Sequence, residues 1–516
     1  MTATLAALVA DHDPASNAIG APGRDWLRFG ALRSLSAEVQ TRLRGFGIGA
    51  GDRVAVVLPN GPDMAAAFVT IAQAAVVAPL NPAYRHEEFA FYLADLNATA
   101  LVVPADYEGP ALDAAKPLGL TILRLHSRLD QPAGQFHLSG PTARPAPDAQ
   151  PGPDATALIL HTSGTTSRPK IVPLSQANLA ASARNIGASL ALTPADRCLN
   201  VMPLFHIHGL IAAVTASLAS GASVFCAPGF DALKFFGWLT EARPTWYTAV
   251  PTMHQAILSR AVRNRAVIDA HPLRFLRSSS ASLPAQVMRE LAQTFNAPVI
   301  EAYGMTEATH QMTSNPLPPR TQKPGSVGVA AGPLVRIAHE VENRLTSGTG
   351  EVVISGPNVT PGYEGNPEAN ARNFFDDGGK RWFRTGDQGA LDADGYLHLT
   401  GRLKEIINRG GEKISPLEVD GVLLDHPAIL QVVTFAMPHP KLGEEVAAAI
   451  VLRDGHHATE RDIRDFAALR MADFKVPRRV VILDEIPKGA TGKLQRIGLA
   501  EKLGLGQPVP GERDVP

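Results

Sequence analysis

From Leu35 to Pro104 the apolar positions follow two periods in turn. In SAEVQTRLRGFG (36–47), DMAAAFVTIAQA (63–74) and EEFAFYLADL (87–96) they recur at helical spacing. Between these lie short continuous apolar runs, DRVAVVLP (52–59), VVAPL (76–80) and ALVV (100–103), of the kind that form buried strands. Strands alternating with helices predict a parallel sheet covered on both faces, an α/β class. Residues 105–154, dense in Pro and Gly and ending PAPDAQPGPD, read as a surface connector. The alternation resumes with ALIL (157–160), IVPLS (171–175), a helix at QANLAASARNIGASL (176–190), and strands around 197–202, 222–227, 245–249 and 273–278, which predict a second sheet of the same kind.

After Val327 the pattern changes. Short runs such as GEVVIS (350–355) and GYLHLT (395–400), separated by Gly and Asp turns, predict a small β subdomain. From Ile406 the order is strand, helix at SPLEVDGVLLDH (415–426), strands VVTFAMP (432–438) and EVAAAIVLR (445–453), then a helix at ATERDIRDFAALR (458–470). The expected architecture is a large N-terminal domain over residues 1–401, two wound sheets plus the β subdomain, and a small α+β domain over 402–516.

Composition narrows the function. At 516 residues the chain exceeds a single core, and 45% hydrophobic against 19% charged residues is ordinary for a globular enzyme. With 48 basic and 49 acidic residues the net charge is −1, which gives no electrostatic case for nucleic acid. The two cysteines, Cys198 and Cys226, lie in apolar runs and support neither a disulfide framework nor a zinc site. No apolar stretch is long enough to span a membrane, MTATLAALVADHD lacks the length and basic flank of a signal peptide, and GERDVP is not a peroxisomal address, so a cytoplasmic location is expected.

One loop concentrates the chemistry. Between two apolar strands stands HTSGTTSRPK (161–170), in which Thr162, Ser163, Thr165, Thr166 and Ser167 surround Gly164 and the loop closes on Arg168 and Lys170. Hydroxyl and N–H donors on a flexible backbone, ending in cations, suit a polyphosphate. The glycine spacing and terminal Lys-Ser/Thr of the Walker A loop are missing, so this is a phosphate loop of another lineage.

TSGTTSRPK resembles the signature loop of the adenylate-forming superfamily, the acyl-CoA synthetases, luciferases and peptide-synthetase adenylation domains. MPLFHIHG (202–209), EAYGMTEATH (301–310), WFRTGD (382–387), GRLKEIINRGGEKISPLEVD (401–420) and PKGATGK (487–493) resemble its later motifs in its order, over about residues 25 to 500. The resemblance implies a carboxylate joined to the α-phosphate of ATP, with pyrophosphate released and the acyl group then passed to the thiol of coenzyme A. It assigns Lys170 and Arg168 to the β- and γ-phosphates and Ser163, Gly164, Thr165 and Thr166, with Thr162, to the nucleotide. It makes Thr306 a donor to the α-phosphate and Glu307 the Mg²⁺ ligand. Tyr303 would face adenine, and Asp387 with Arg402 would take the ribose hydroxyls. Lys493 would bridge carboxylate and α-phosphate from a small mobile C-terminal domain that turns about Lys404 and presents Gly410 and Gly411 to the pantetheine arm. Taken singly, an Asp after Gly is a turn residue, an Arg after Gly a solvated charge, and a Tyr in a strand part of the core; the ordered set carries the assignment.

Within the superfamily the chain most closely resembles oxalate-CoA ligases, through HTSGTTSRPK, PLFHIHGL, RSSSASL (277–283) and EAYGMTEATHQMTSNPLP (301–318). Oxalate is a small dianion whose second carboxylate must leave water, so its pocket needs donors where a fatty acid would need an apolar slot. His206, at the head of the helix after PLF, Ser280 and His310 are the candidates, with His208 read as structural. Ile171 departs from the superfamily, standing where Gly is usual. The rival readings are another small or aryl acid, malonate or a 4-coumarate-type substrate, and the loading of a separate carrier protein. Oligomeric state is not legible.

Overall fold

The structure is a computed structural model that describes residues 3–162, 169–487 and 494–506. Two wound sheets dominate it. The first has seven strands, in spatial order Phe136–Ser139, Thr121–Ser127, Ala100–Pro104, Arg53–Val56, Val76–Pro79, Thr156–Thr162 and Lys170–Ser175. Its inner five strands are parallel, and an antiparallel strand closes each edge. The second has nine strands: Val329–Ala330, His310–Ser314, Val299–Met305, Phe275–Ser278, Trp246–Ala249, Arg197–Asn200, Ser223–Cys226, Asn17–Ala21 and Arg24–Arg28.

Helices cover these sheets as the apolar spacing requires, and they join them. Phe29–Gly45 buries Phe29, Leu32, Leu35, Val39 and Leu43 along one stripe, and Gln176–Ser189 starts at a capping box between Ser175 and Asn178. One continuous apolar cluster runs from Leu5 through Phe68, Leu158 and Ile211 to Leu397, so the sheets share a core. Among the described residues no helix is long and apolar enough to cross a membrane.

Three expectations need correction. Residues 105–154 are not simply a connector: they carry the helix Pro110–Ala115 and the strands Thr121–Ser127 and Phe136–Ser139, and the longest stretch without regular structure runs from Gly140 to Ala155. Their Pro and Gly residues flank strands instead of replacing them. The helix expected at 36–47 begins at Phe29, because its buried stripe extends back to that residue. The hairpin Asn17–Ala21 and Arg24–Arg28, which gave no period in the sequence, completes the edge of the second sheet, with Ile19 in register with Val224.

The β subdomain is a six-stranded sheet spanning Leu334–Ala338 to Leu397–Arg402. From Ile407 a five-stranded sheet with the helices Pro416–Leu424 and Glu460–Ala468 encloses its own apolar core of Ile407, Val419, Leu423, Val432, Ile450 and Ile463. Ile171, in register with His161, packs against a cluster that includes Ile159. The departure from the superfamily at this position is thus taken up by packing.

Candidate functional site

Thr162 and Lys170 lie opposite each other at the ends of antiparallel strands and so define the mouth of the Ser/Thr loop. Ser163, Gly164, Thr165, Thr166, Ser167 and Arg168 lie outside the described residues, as does Lys493. Just before the loop, His161 Nε2 lies 3.1 Å from Asp95 Oδ2, and its ring meets Tyr92 edge-on at 4.7 Å between centroids. Burial pushes the His161 imidazole below its ordinary value, with Asp95 opposing.

Lys170 Nζ stands 4.3 Å above the ring of Tyr363, whose hydroxyl donates to Glu307 Oε1 at 2.8 Å. Burial lowers the Lys170 ammonium; Glu307 pulls it back up, and Lys404 pushes it further down. The Glu307 carboxyl is raised chiefly by its own burial, against the opposing effects of the Tyr363 hydroxyl, Lys170 and Arg402. Lys170, Glu307 and Lys404 therefore share one electrostatic neighbourhood. Tyr363 went unnoticed in the sequence; its signal was a Tyr inside the Gly-flanked turn PGYEG (361–365).

Next to this stands a second set. The Tyr303 hydroxyl donates to Asp387 Oδ2, and Arg402 Nε lies 3.2 Å from Asp387 Oδ1. Asp387 and Arg402 are paired across the strands Lys380–Leu391 and Leu397–Arg402, so backbone register, not side-chain reach, brings them together. Asp387 holds the Arg402 guanidinium above its ordinary value, while burial, then Asp387, drives the Tyr303 phenol well up. Thr306, half-buried, opens the short 3₁₀ turn Thr306–Ala308 directly after the strand Val299–Met305. Tyr303, Thr306, Glu307, Asp387 and Arg402, scattered over a hundred positions of sequence, are gathered round one hairpin end.

That hairpin has a strained return. Thr309 and His310 both take positive φ, 49° and 94°, a region costly for residues with a side chain. Thr309 is held there by Thr306 O, Asn358 O and Ser182 Oγ. Gly304 is obligatory opposite it, since a Cβ would lie 1.9 Å from His310 O. The strain fixes where the His310 ring goes.

Around His310 a buried polar cluster forms. Its ring stacks on His208 at 4.9 Å. His208 Nδ1 is 2.9 Å from Ser280 Oγ and its Nε2 is 2.6 Å from Thr248 Oγ1. Arg277, wholly buried in the strand Phe275–Ser278, places Nη1 3.4 Å from His208 Nε2 and 3.3 Å from His310 Nε2, and Nη2 3.2 Å from Gln311 Oε1. Ser280, at φ 74°, is strained like His310.

One expectation shifts here: Ser280 and His310 come together, but around His208, to which the sequence gives only a structural role. His206, half-buried, heads the helix as expected, its carbonyl accepting from Leu210 N at 3.1 Å and its ring packing against Phe205, with the π-helical stretch His208–Thr215 following. Arg277, inside RSSSASL, is not legible in the sequence, because a lone Arg in a strand gives no signal.

At the other rim, Lys404 lies exposed in the turn between Leu397–Arg402 and Ile407–Arg409. Gly410 and Gly411 form the exposed tip of the next hairpin, with φ 59° and 98° that this turn requires. Lys413, in that hairpin, pairs with Glu340 at 2.6 Å, and Glu340 also accepts from Gln388, the neighbour of Asp387. The glycine tip is thus tied to the strand that carries Asp387.

Known proteins are similar along nearly the whole chain. Residues 7–364 match the AMP-binding enzyme family and residues 418–493 the AMP-binding enzyme C-terminal domain. Oxalate–CoA ligase of Arabidopsis thaliana is 46% identical over 95% of this chain and 96% of its own. Oxalate–CoA ligase of Saccharomyces cerevisiae is 41% identical over 87% and 86%, and sulfoacetate–CoA ligase of Cupriavidus necator 35% over 92% of each. The ATP-bound crystal structure of MatB from Rhodopseudomonas palustris superposes with a TM-score of 0.87 at 30% identity, covering 97% of this chain and 99% of that one. Sequence and fold agree, and the chain belongs to the AMP-binding enzymes as an AMP-forming acid–CoA ligase.

Proposed function

We propose that the acid is oxalate, converted first to oxalyl-AMP and then to oxalyl-CoA. The observation that carries this reading is the buried cluster of Ser280, His208, His310 and Arg277, in which His310 lies on the hairpin that also bears Thr306 and Glu307. The likeness to two oxalate–CoA ligases supports it. A second carboxylate leaving water needs such donors and the positive charge among them, whereas an apolar acid would make no use of either.

In the first step one carboxylate oxygen attacks the α-phosphorus and pyrophosphate leaves. Both reactants are anionic, so placed positive charge is the main requirement. Lys170 and Arg168 take the β- and γ-phosphates, Thr162 and Ser163 to Thr166 line the loop, and Thr306 donates to the α-phosphate. Asp387 accepts from the ribose hydroxyls beside Tyr303 and Arg402, while Lys493 meets carboxylate and α-phosphate. In the second step the thiolate of coenzyme A attacks the acyl carbon and AMP leaves, with Gly410 and Gly411 lining the pantetheine path. The unit from 402 onward turns about Lys404 between the steps as a domain separate from 1–401.

Glu307 fits Mg²⁺: it is a buried carboxylate raised by desolvation, a state that a hard cation reverses. Among the described residues no three His, Cys, Asp or Glu side chains enclose a metal, so the remaining ligands would be phosphate oxygens and water. Bound there, Mg²⁺ would neutralise phosphate charge. The experiment is pyrophosphate release with oxalate, malonate, sulfoacetate and 4-coumarate, with coenzyme A as acceptor. Turnover of oxalate ahead of the others is expected; turnover of another acid without oxalate ends this reading, and release that needs a carrier protein in place of coenzyme A ends the second step.

A further inference from the structure

Arg277 is fully buried, and among the described residues no carboxylate lies within ion-pair distance of it. Its Nε has no hydrogen-bond partner. A buried cation left in this state costs several kcal/mol, so a fold that keeps one has a use for its charge. Burial lowers the guanidinium only to about 10, which leaves it charged near neutrality. The other titratable groups facing it are His208, His310 and Cys198, and burial keeps the Cys198 thiol protonated.

The geometry fixes protons. A guanidinium can only donate, so the ring nitrogens it reaches, Nε2 of His208 and Nε2 of His310, must both accept. The Thr248 hydroxyl, 2.6 Å from His208 Nε2, then donates as well and shares that nitrogen's single lone pair with the more distant Arg277. Each neutral imidazole therefore carries its proton on Nδ1. In His208 that N–H points at Ser280 Oγ, 2.9 Å away, so Ser280 accepts there and its own proton is turned elsewhere. The rings stack at 4.9 Å and 29°, an arrangement that suits neutral imidazoles and not two cations.

Resting on the assignment of a dianionic acid to this cluster, we propose that Arg277 is a positioning residue that sets specificity. It holds His208 and His310 in the Nδ1–H form, makes Ser280 a donor, and supplies through them the positive charge required by the distal carboxylate of a small dicarboxylate. The cation is compensated by substrate, not by protein.

The test uses the full-length enzyme labelled with ¹⁵N-histidine, with long-range ¹H–¹⁵N spectra assigned by the signals lost in His208→Asn and His310→Asn. Both rings of the unsubstituted enzyme are expected in the Nδ1–H form. Arg277→Gln should move at least one ring to Nε2–H or to a mixture and raise KM for oxalate about thirtyfold, with kcat changed less than about threefold and ATP affinity unchanged. Arg277→Lys keeps the charge without the fork and should fall between the two. Nε2–H rings in the unsubstituted enzyme overturn the proposal, as does an unchanged oxalate KM in Arg277→Gln or a lysine variant no better than the glutamine one. If Arg277→Gln gives no cooperative thermal transition, the ring spectra and the lysine variant decide. An enzyme that ignores oxalate but has Nδ1–H rings refutes the substrate assignment alone.

Discussion

Around Asp387 charge is met by charge: Arg402 lies 3.2 Å away, and on the same hairpin end Glu307 and Lys170 act on each other. Around Arg277 the neighbours are two imidazoles, a carboxamide and a thiol, none of them an anion. The first set is balanced within the protein; the second is electrically incomplete. The difference follows from what each is proposed to hold. A nucleotide brings its own counter-ions and is recognised by geometry, whereas a very small acid offers little but charge.

The largest effect is expected from removing the charge proposed to bridge carboxylate and α-phosphate. Lys493→Ala is expected to lower pyrophosphate–ATP exchange about a thousandfold while ATP still binds, which isothermal titration would show. A near-normal rate would mean that the reaction draws on cations already in place.

A second substitution tests whether the other side is truly without an anion. Glu301, in the strand beside Arg277, is in register with Ser278, so alternation turns its side chain to the opposite face from Arg277. Burial raises its carboxyl to about 8; Oε1 accepts from Leu283 N at 2.8 Å and Oε2 has no partner. A carboxyl raised on folding gives stability that is complete below its unfolded value near 4.5 and is lost as pH rises through about 8. Glu301→Gln should therefore flatten the fall in stability between pH 5 and pH 8, gaining about 2–3 kcal/mol at the upper end in urea melts. An unchanged slope would mean that Glu301 is ionised in the fold.

Smaller effects grade the two sides. His310→Leu should raise KM for oxalate about tenfold to thirtyfold through loss of one desolvated donor, with little change for ATP. Tyr363→Phe removes the hydroxyl donated to Glu307 and should cost about 1 kcal/mol in kcat/KM. If the order of these two is reversed in steady-state assays, the paired side is the more exacting one.

The same contrast explains what the sequence disclosed. Tyr303, Thr306, Glu307, Asp387 and Arg402 were legible because each sits in a short motif whose order could be checked, and strand register then joined Asp387 to Arg402. His208, Arg277 and Tyr363 were not, because a histidine on an apolar helix, an arginine in a strand and a tyrosine in a turn each look ordinary alone. Tertiary contact gives them meaning. The wound sheets were legible where helix and strand periods alternate, from Arg53 to Pro104 and again from Thr156 to Ser278. They were illegible at Asn17–Arg28 and Thr121–Ser139: Asn17–Ala21 is largely buried but too short and Gly-broken to show a period, and Arg24–Arg28, Thr121–Ser127 and Phe136–Ser139 mix buried with partly exposed positions and carry no continuous apolar run.

The strand Asn17–Ala21 lies parallel to Ser223–Cys226, with Ile19 beside Val224. During synthesis that early segment can pair at once with Arg24–Arg28, but its other edge must wait until Cys226 has emerged. The seven-stranded sheet, whose strands all lie between Arg53 and Ser175, can close in the meantime. Assembly order is thus written into connectivity: the strands of one sheet can pair while the nascent chain is still growing, and the other sheet keeps an edge open until later residues arrive.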